Sequence, residues 1–203
     1  MNFRNRLLIY SLFILFSCSR VKFKSTDYAK FIESKRSGLL LEKTEKEYLF
    51  TLQYKPIDYV TLLEIRNSDS KISKIEFDST RKHFEGMSYF TLSIKNNKTD
   101  QELTKYLSKD TIEAEKVFNY FNFDMQNDLK LISGTDTLSC VLFHYEHNYG
   151  ISPISKFLLG FKSMPGQPKT DITVLYEDKE LHCGILQFKF LRENIAGLPS
   201  IDI

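Results

Sequence analysis

The side chains best suited to chemistry gather late in the chain. His144-Tyr145-Glu146-His147 comes shortly after Cys140, and His182-Cys183 follows nearer the C-terminus. Imidazole, carboxylate and thiolate are the groups that zinc takes, three or four of them converging on the ion. His144, Glu146, His147 and His182 therefore form a candidate metal set for a metal-dependent hydrolase, provided a final hairpin brings His182 alongside the others. Strand alternation puts Cys140, His144 and Glu146 on one face and His147 on the other. The HExxH spacing of helical zinc sites is absent. The competing reading leaves these histidines at strand ends or facing solvent.

Cys140 and Cys183 have two readings as well. In an exported chain they could bridge, if adjacent strands set their α-carbons about 4.4–6.8 Å apart. Unbridged, each would behave as a small buried hydrophobe. A Cys/His nucleophile at Cys183 is disfavoured, because His182 beside it would point the other way along a strand. Two loops are candidate binding surfaces, since loops carry function more often than strands do. One holds Tyr149 and Gly150, the other Pro165 and Gly166. No glycine-rich phosphate loop or G-x-S-x-G elbow occurs. Asp124, Asp128 and Asp136 are scattered and suit turns better than a glycosidase pair. No cofactor is indicated.

Those residues depend on the elements around them. A short helix is expected over 25–35, ended by Gly38. Strands at 39–42 and 47–54 flank Lys43-Thr44-Glu45-Lys46 as a hairpin would, with Tyr48, Phe50, Leu52 and Tyr54 alternating in the second arm. Pro56 suits the first turn of a helix carrying Tyr59, Leu62, Leu63 and Arg66, although Val60, Thr61 and Ile65 keep a strand open there. Residues 67–86 are ambiguous. A strand follows over 88–94. Two capping boxes, Thr99-x-x-Glu102 and Asp110-x-x-Glu113, then announce a pair of helices. Strands at 129–132 and 137–145 flank a turn at Gly134, 157–161 reads as a buried strand, and a last hairpin joins 172–176 to 181–190. The fold class is α+β: a largely antiparallel sheet with an inserted helical pair and a short N-terminal helix.

The N-terminus is of another kind. Arg4 and Arg6 precede an apolar run over 7–16, and a small residue, Ser17, closes it. That order is the form of a secretory signal peptide, and the run falls short of the roughly 20 residues a membrane span needs. Leu15-Phe16-Ser17-Cys18 resembles the lipobox of bacterial lipoproteins. The resemblance implies that residues 1–17 are removed and that Cys18 becomes the lipidated first residue, carrying a diacylglyceryl group and often a further acyl chain such as palmitate. It further implies a basic tether over 18–24 and one globular domain over 25–203. The location would be the cell envelope, at the periplasmic or surface face of the outer membrane. Each buried methylene contributes about 0.8 kcal/mol, so two or more chains hold firmly.

Composition narrows the partners. Removing 17 of the 203 residues leaves 186, about one domain's worth. Without Arg4 and Arg6 the 28 Lys and Arg fall to 26, equal to the 26 Asp and Glu. A neutral mature chain has no nucleic-acid footprint. The 17 Phe and 11 Tyr, with no Trp, suit a sheet-rich core. The expected function is that of an envelope-anchored binding or interaction module with an envelope protein as partner. The metal-dependent hydrolase is the rival.

Overall fold

The computed structural model describes residues 21–66, 72–162 and 168–203. The signal segment, Cys18, Pro165 and Gly166 lie outside the described residues. In chain order the elements are β1 (Lys22–Lys24), α1 (Ser25–Ile32), β2 (Leu40–Glu45), β3 (Tyr48–Lys55), α2 (Ile57–Ile65), α3 (Lys74–His83), β4 (Met87–Asn96), α4 (Leu103–Leu107) and α5 (Thr111–Asn122). They continue with β5 (Leu129–Ser133), β6 (Asp136–Glu146), β7 (Ile154–Lys162), β8 (Ile172–Asp178), β9 (Gly184–Phe190), α6 (Arg192–Ala196) and β10 (Ser200–Asp202). The fold is α+β. Among the described residues, no helix is long and apolar enough to cross a membrane.

Eight strands form one sheet in the order β2-β3-β4-β7-β6-β5-β8-β9, every neighbouring pair antiparallel. Strands in a sheet lie about 4.8 Å apart, so β3 and β9 would be about 29 Å apart if it were flat. Instead the rings of Tyr54 and Phe190 lie 6.1 Å apart, and those of Phe90 and Phe190 5.6 Å. The sheet is curled into a half-closed barrel with its aromatic faces inward. Lys43 Nζ on β2 lies 5.9 Å from the centre of the Phe188 ring on β9, so the two edges approach.

The corner is β6. Its first half pairs with β5 and its second half with β7, and the register slips between Cys140 and Leu142. A bulge of this kind bends a strand and lets it pass from one packed layer to the other. It also breaks alternation: Cys140 faces the core, Val141 and Leu142 are both exposed, and Phe143 turns back inward. Cys140 and His144 therefore do not share the face that uninterrupted alternation predicts. Where no bulge intervenes the pattern holds, and Tyr48, Phe50, Leu52 and Tyr54 on β3 are all buried.

Helices close the two ends. Pro56 ends β3 and opens α2, where a missing N–H costs nothing. The Tyr59 hydroxyl then donates to Glu33 Oε1 at 2.6 Å, tying α2 to the chain just beyond α1. α3 falls in the ambiguous stretch; Ser73 caps it by accepting the Glu76 amide at 3.2 Å. These three helices sit at the Tyr54 end of the barrel. α4 and α5 cover the Tyr48 end, where Phe121 packs against Phe157 at 5.7 Å.

Two segments differ from expectation. Lys22–Lys24, read as tether, pairs in parallel with Ser200–Asp202, so the fold begins before residue 25. Of the two capping boxes, Asp110 caps its helix by accepting the Glu113 amide at 2.9 Å, while the Glu113 side chain returns its bond to the Lys109 amide rather than to that of Asp110. Thr99 accepts from Gln101 instead, and Glu102 is itself the residue before α4.

Candidate functional site

The Tyr48 end of the barrel gathers the strained backbone. Among the described residues, three non-glycine residues have positive φ: Lys46 (52°), Tyr149 (51°) and His182 (59°). Left-handed backbone costs a side-chain-bearing residue about 1–2 kcal/mol. Lys46 lies in the β2–β3 turn, Tyr149 in the β6–β7 loop and His182 in the β8–β9 loop. The registers place all three loops at one rim: Tyr48 pairs with Asn96, Lys95 with Ile154 and Glu146 with Lys156, and β5 carries the order on to β8, where Leu129 pairs with Tyr176. Strain of this kind concentrates at functional sites because the surrounding structure has to hold it in place.

Two buried carboxylates hold it here. Glu102 is 8% exposed; its Oε1 accepts from the Tyr145 hydroxyl at 2.6 Å and its Oε2 from the Gly150 amide at 2.9 Å. The Gly150 amide also reaches Asn148 Oδ1 at 2.9 Å. Burial, then the bond to Glu102, pushes the Tyr145 phenol up to about 12. With its base fixed, the loop carries Tyr149 and Ile151 outward at 89% and 90% exposure. The loop thus presents two apolar tips beyond a hydrogen-bonded base.

Asp178 does the same for the β8–β9 loop. Its Oδ1 accepts from the Tyr176 hydroxyl and from the Glu180 and Leu181 amides, and its Oδ2 from the Cys183 amide at 2.6 Å. The Tyr176 oxygen lies 3.3 Å from that of Tyr120, which donates to Asp128 at 3.0 Å. Lys179 closes the chain by pairing with Asp128. Burial raises both phenols above the ordinary tyrosine range, so both remain protonated donors.

Between the β2–β3 and β8–β9 loops and the α4–α5 pair lies a cleft of about 700 Å³, lined in part by Lys46, Tyr48, Tyr106, Lys109, Leu181 and His182. Only His182 among them is in the candidate set read from sequence. The rest were missed because they come from separate turns, strands and helices and form no local motif.

The metal set does not assemble. His144 is exposed on the outer side of β6, whereas His147 Nε2 donates to Asn122 Oδ1 at 2.8 Å and its ring stacks on Phe118 at 5.8 Å. His182 sits apart on the cleft rim, and Glu146 is half-buried at the end of β6. Among the described residues, no three His, Cys, Asp or Glu side chains are grouped to hold a metal. The bulge and the positive φ at His182 explain this, because each turns a side chain away from the direction alternation predicts. Cys140 and Cys183 are both free. Cys140 Sγ donates to the Leu142 carbonyl at 3.0 Å and Cys183 Sγ reaches the Glu45 and Leu181 carbonyls at 3.7 Å, so no bridge forms. Tyr149 and Gly150 do share an ordered loop, as expected.

Comparison with family models, with curated proteins and with solved structures finds no match. The site is therefore read from its own geometry. Among the described residues, none of its hydrogen bonds joins a nucleophile to a base. What it offers is an exposed apolar loop tip, a cleft and several hydrogen-bond donors.

Proposed function

We propose that the protein is a lipid-anchored lipoprotein of the cell envelope whose domain binds a protein partner. The observation that carries the binding role is the Tyr149–Ile151 arm. Two large apolar side chains are almost wholly exposed on a loop whose backbone is pinned by a buried carboxylate. Exposed aromatic anchors on a pre-ordered loop lose little entropy on association, which favours their use in recognition.

The anchor reading rests on Arg4, Arg6, the apolar run and Leu15-Phe16-Ser17-Cys18. The docking of Lys22–Lys24 adds a geometric consequence. Only residues 19–21 would separate an acylated Cys18 from the folded body, a reach of about 10 Å at 3.3–3.6 Å per residue. The strand β1 packs beside α1, at the Tyr54 end. β3 spans about 20 Å from Tyr54 to Tyr48, six residues at its rise per residue. A short leash at one end would thus hold the arm and the cleft pointing away from the bilayer.

Two measurements test this. Metabolic palmitate labelling is expected to mark the protein and to vanish in Cys18→Ala. A photo-crosslinking residue at Tyr149 is expected to give one adduct of defined mass in intact cells, while the same residue at Ile75, exposed on α3, gives none. An unlabelled cytosolic protein would end the anchor reading. Equal crosslinking at both positions would end the binding role of the arm.

A further inference from the structure

The cleft at the Tyr48 end is unequal in what it leaves unsatisfied. Its carboxylates are engaged: Glu180 pairs with Lys116 at 3.5 Å, Glu113 accepts the Lys109 amide at 3.0 Å, and Glu47 faces Lys98 at 3.9 Å. Its remaining donors are not. The Lys46 and Lys109 ammonium groups and the His182 ring have no hydrogen-bond or ion-pair partner among the described residues. Tyr48, on the wall, is 4% exposed, and its hydroxyl likewise has no partner there. Directly across the ladder from Tyr48, the buried Asn96 Nδ2 is also unpaired, while its Oδ1 accepts the Lys98 amide.

A buried polar group without a partner costs about 1–3 kcal/mol, and of the groups named here only Asn96 Nδ2, which does not line the cleft, is of that kind. The unpaired groups that line the cleft are donors, with Lys46, Lys109 and His182 exposed at its mouth and therefore open to a ligand. Leu107, Val117 and Leu181 supply an apolar wall. A cleft of about 700 Å³ is within the size range of small-molecule sites. The complementary ligand accepts hydrogen bonds, carries negative charge and has an apolar body.

We propose that this cleft binds a small anionic amphiphile, with a carboxylate or phosphate head held by Lys46, Lys109 and Tyr48 and an alkyl body along Leu107, Val117 and Leu181. The head-group chemistry is shared by free fatty acids and by phosphate-bearing lipids. This site is distinct from the Tyr149 arm and does not depend on the anchor.

The test uses the full chain in lipid nanodiscs, with empty nanodiscs as the blank and tyrosine rings labelled with carbon-13 for NMR. Octanoate and octyl phosphate are titrated separately, with octylammonium as the cationic control. A saturable shift of the Tyr48 and Tyr106 resonances with octanoate alone identifies a carboxylate ligand, with octyl phosphate alone a phosphate ligand, and with both the anion as such. The double variant Lys46→Glu/Lys109→Glu, both side chains being exposed, is expected to weaken binding by about tenfold or more with the fold intact. Tyr48→Phe is expected to weaken it several-fold without lowering the melting temperature. The proposal is overturned if neither anion gives a saturable shift, if octylammonium binds equally well, or if the charge reversals leave binding unchanged.

Discussion

Glu102 and Tyr145 are joined by a 2.6 Å hydrogen bond in the buried wall beneath the β6–β7 loop. The bond links a residue at the start of α4 to one on β6, and the second Glu102 oxygen extends the link to the Gly150 amide. One carboxylate thereby joins helix, sheet and loop.

Removing it should be felt in all three. Glu102→Ala leaves the buried Tyr145 phenol with Ser155 Oγ at 3.4 Å and the Gly150 amide with only Asn148 Oδ1 at 2.9 Å, and the expected loss is about 1–3 kcal/mol by denaturant unfolding. Hydrogen exchange at Gly150 should accelerate first. A double cycle with Tyr145→Phe should show coupling above about 0.5 kcal/mol. Strict additivity would mean that the bond contributes nothing.

Asp178 makes a parallel case. Its carboxylate accepts three amides of the β8–β9 loop besides the Tyr176 hydroxyl. Asp178→Ala is expected to cost about 3 kcal/mol and to release the Glu180, Leu181 and Cys183 amides to exchange. Unchanged protection there would show that the turn holds itself.

Gly160 tests the packing of the corner. A Cβ at this position would lie 2.8 Å from Met87 Cε and 2.9 Å from Leu142 Cβ, the latter at the bulge. Gly160→Ala should destabilise by about 1–3 kcal/mol through overpacking. Adding Met87→Ala should recover part of that loss, because the flexible side chain is the one able to yield. A neutral Gly160→Ala would show that the corner has room.

Cys183 supplies a pH test. Burial first, and then the Asp178 charge, push its thiol up to about 11. A raised thiol pKa leaves less thiolate at any lower pH, and the thiolate is the form that reacts. Alkylation by iodoacetamide should therefore be slow at pH 8 and keep rising towards pH 11, without levelling near 9. Asp178→Asn removes negative charge beside the sulfur, which lowers the pKa and should speed alkylation at pH 8. A plateau near pH 9 in the unmodified chain would contradict the assigned environment.

Much of the architecture could be read from residue order. In β3 and β4 burial alternates strictly, and the alternating Tyr48, Phe50, Leu52 and Tyr54, like Phe90, Leu92 and Ile94, are the buried ones. Asp110 caps its helix as its spacing with Glu113 predicts. α3 was missed although Ser73 and Glu76 stand at capping distance, because its one buried side chain, Phe77, leaves almost no apolar stripe.

The candidate site was legible only in part. Tyr149 and Gly150 stood out because turn residues mark a loop locally. The role of Glu102 did not, since its spacing with Thr99 suggests a helix cap while its partners lie 43 and 48 residues further on.

The sequence by itself determined which segments alternate, where helices begin and which residues make turns, because those depend on neighbours within a few positions. Tertiary structure alone decided that the sheet curls, that the β6 bulge turns Cys140 inward and His144 outward, and that Lys46, Tyr48, Lys109 and His182 meet around one cleft. The physical reason is that curling and bulging are set by packing between strands far apart in the chain. A shift of one residue in register reverses every side chain beyond it.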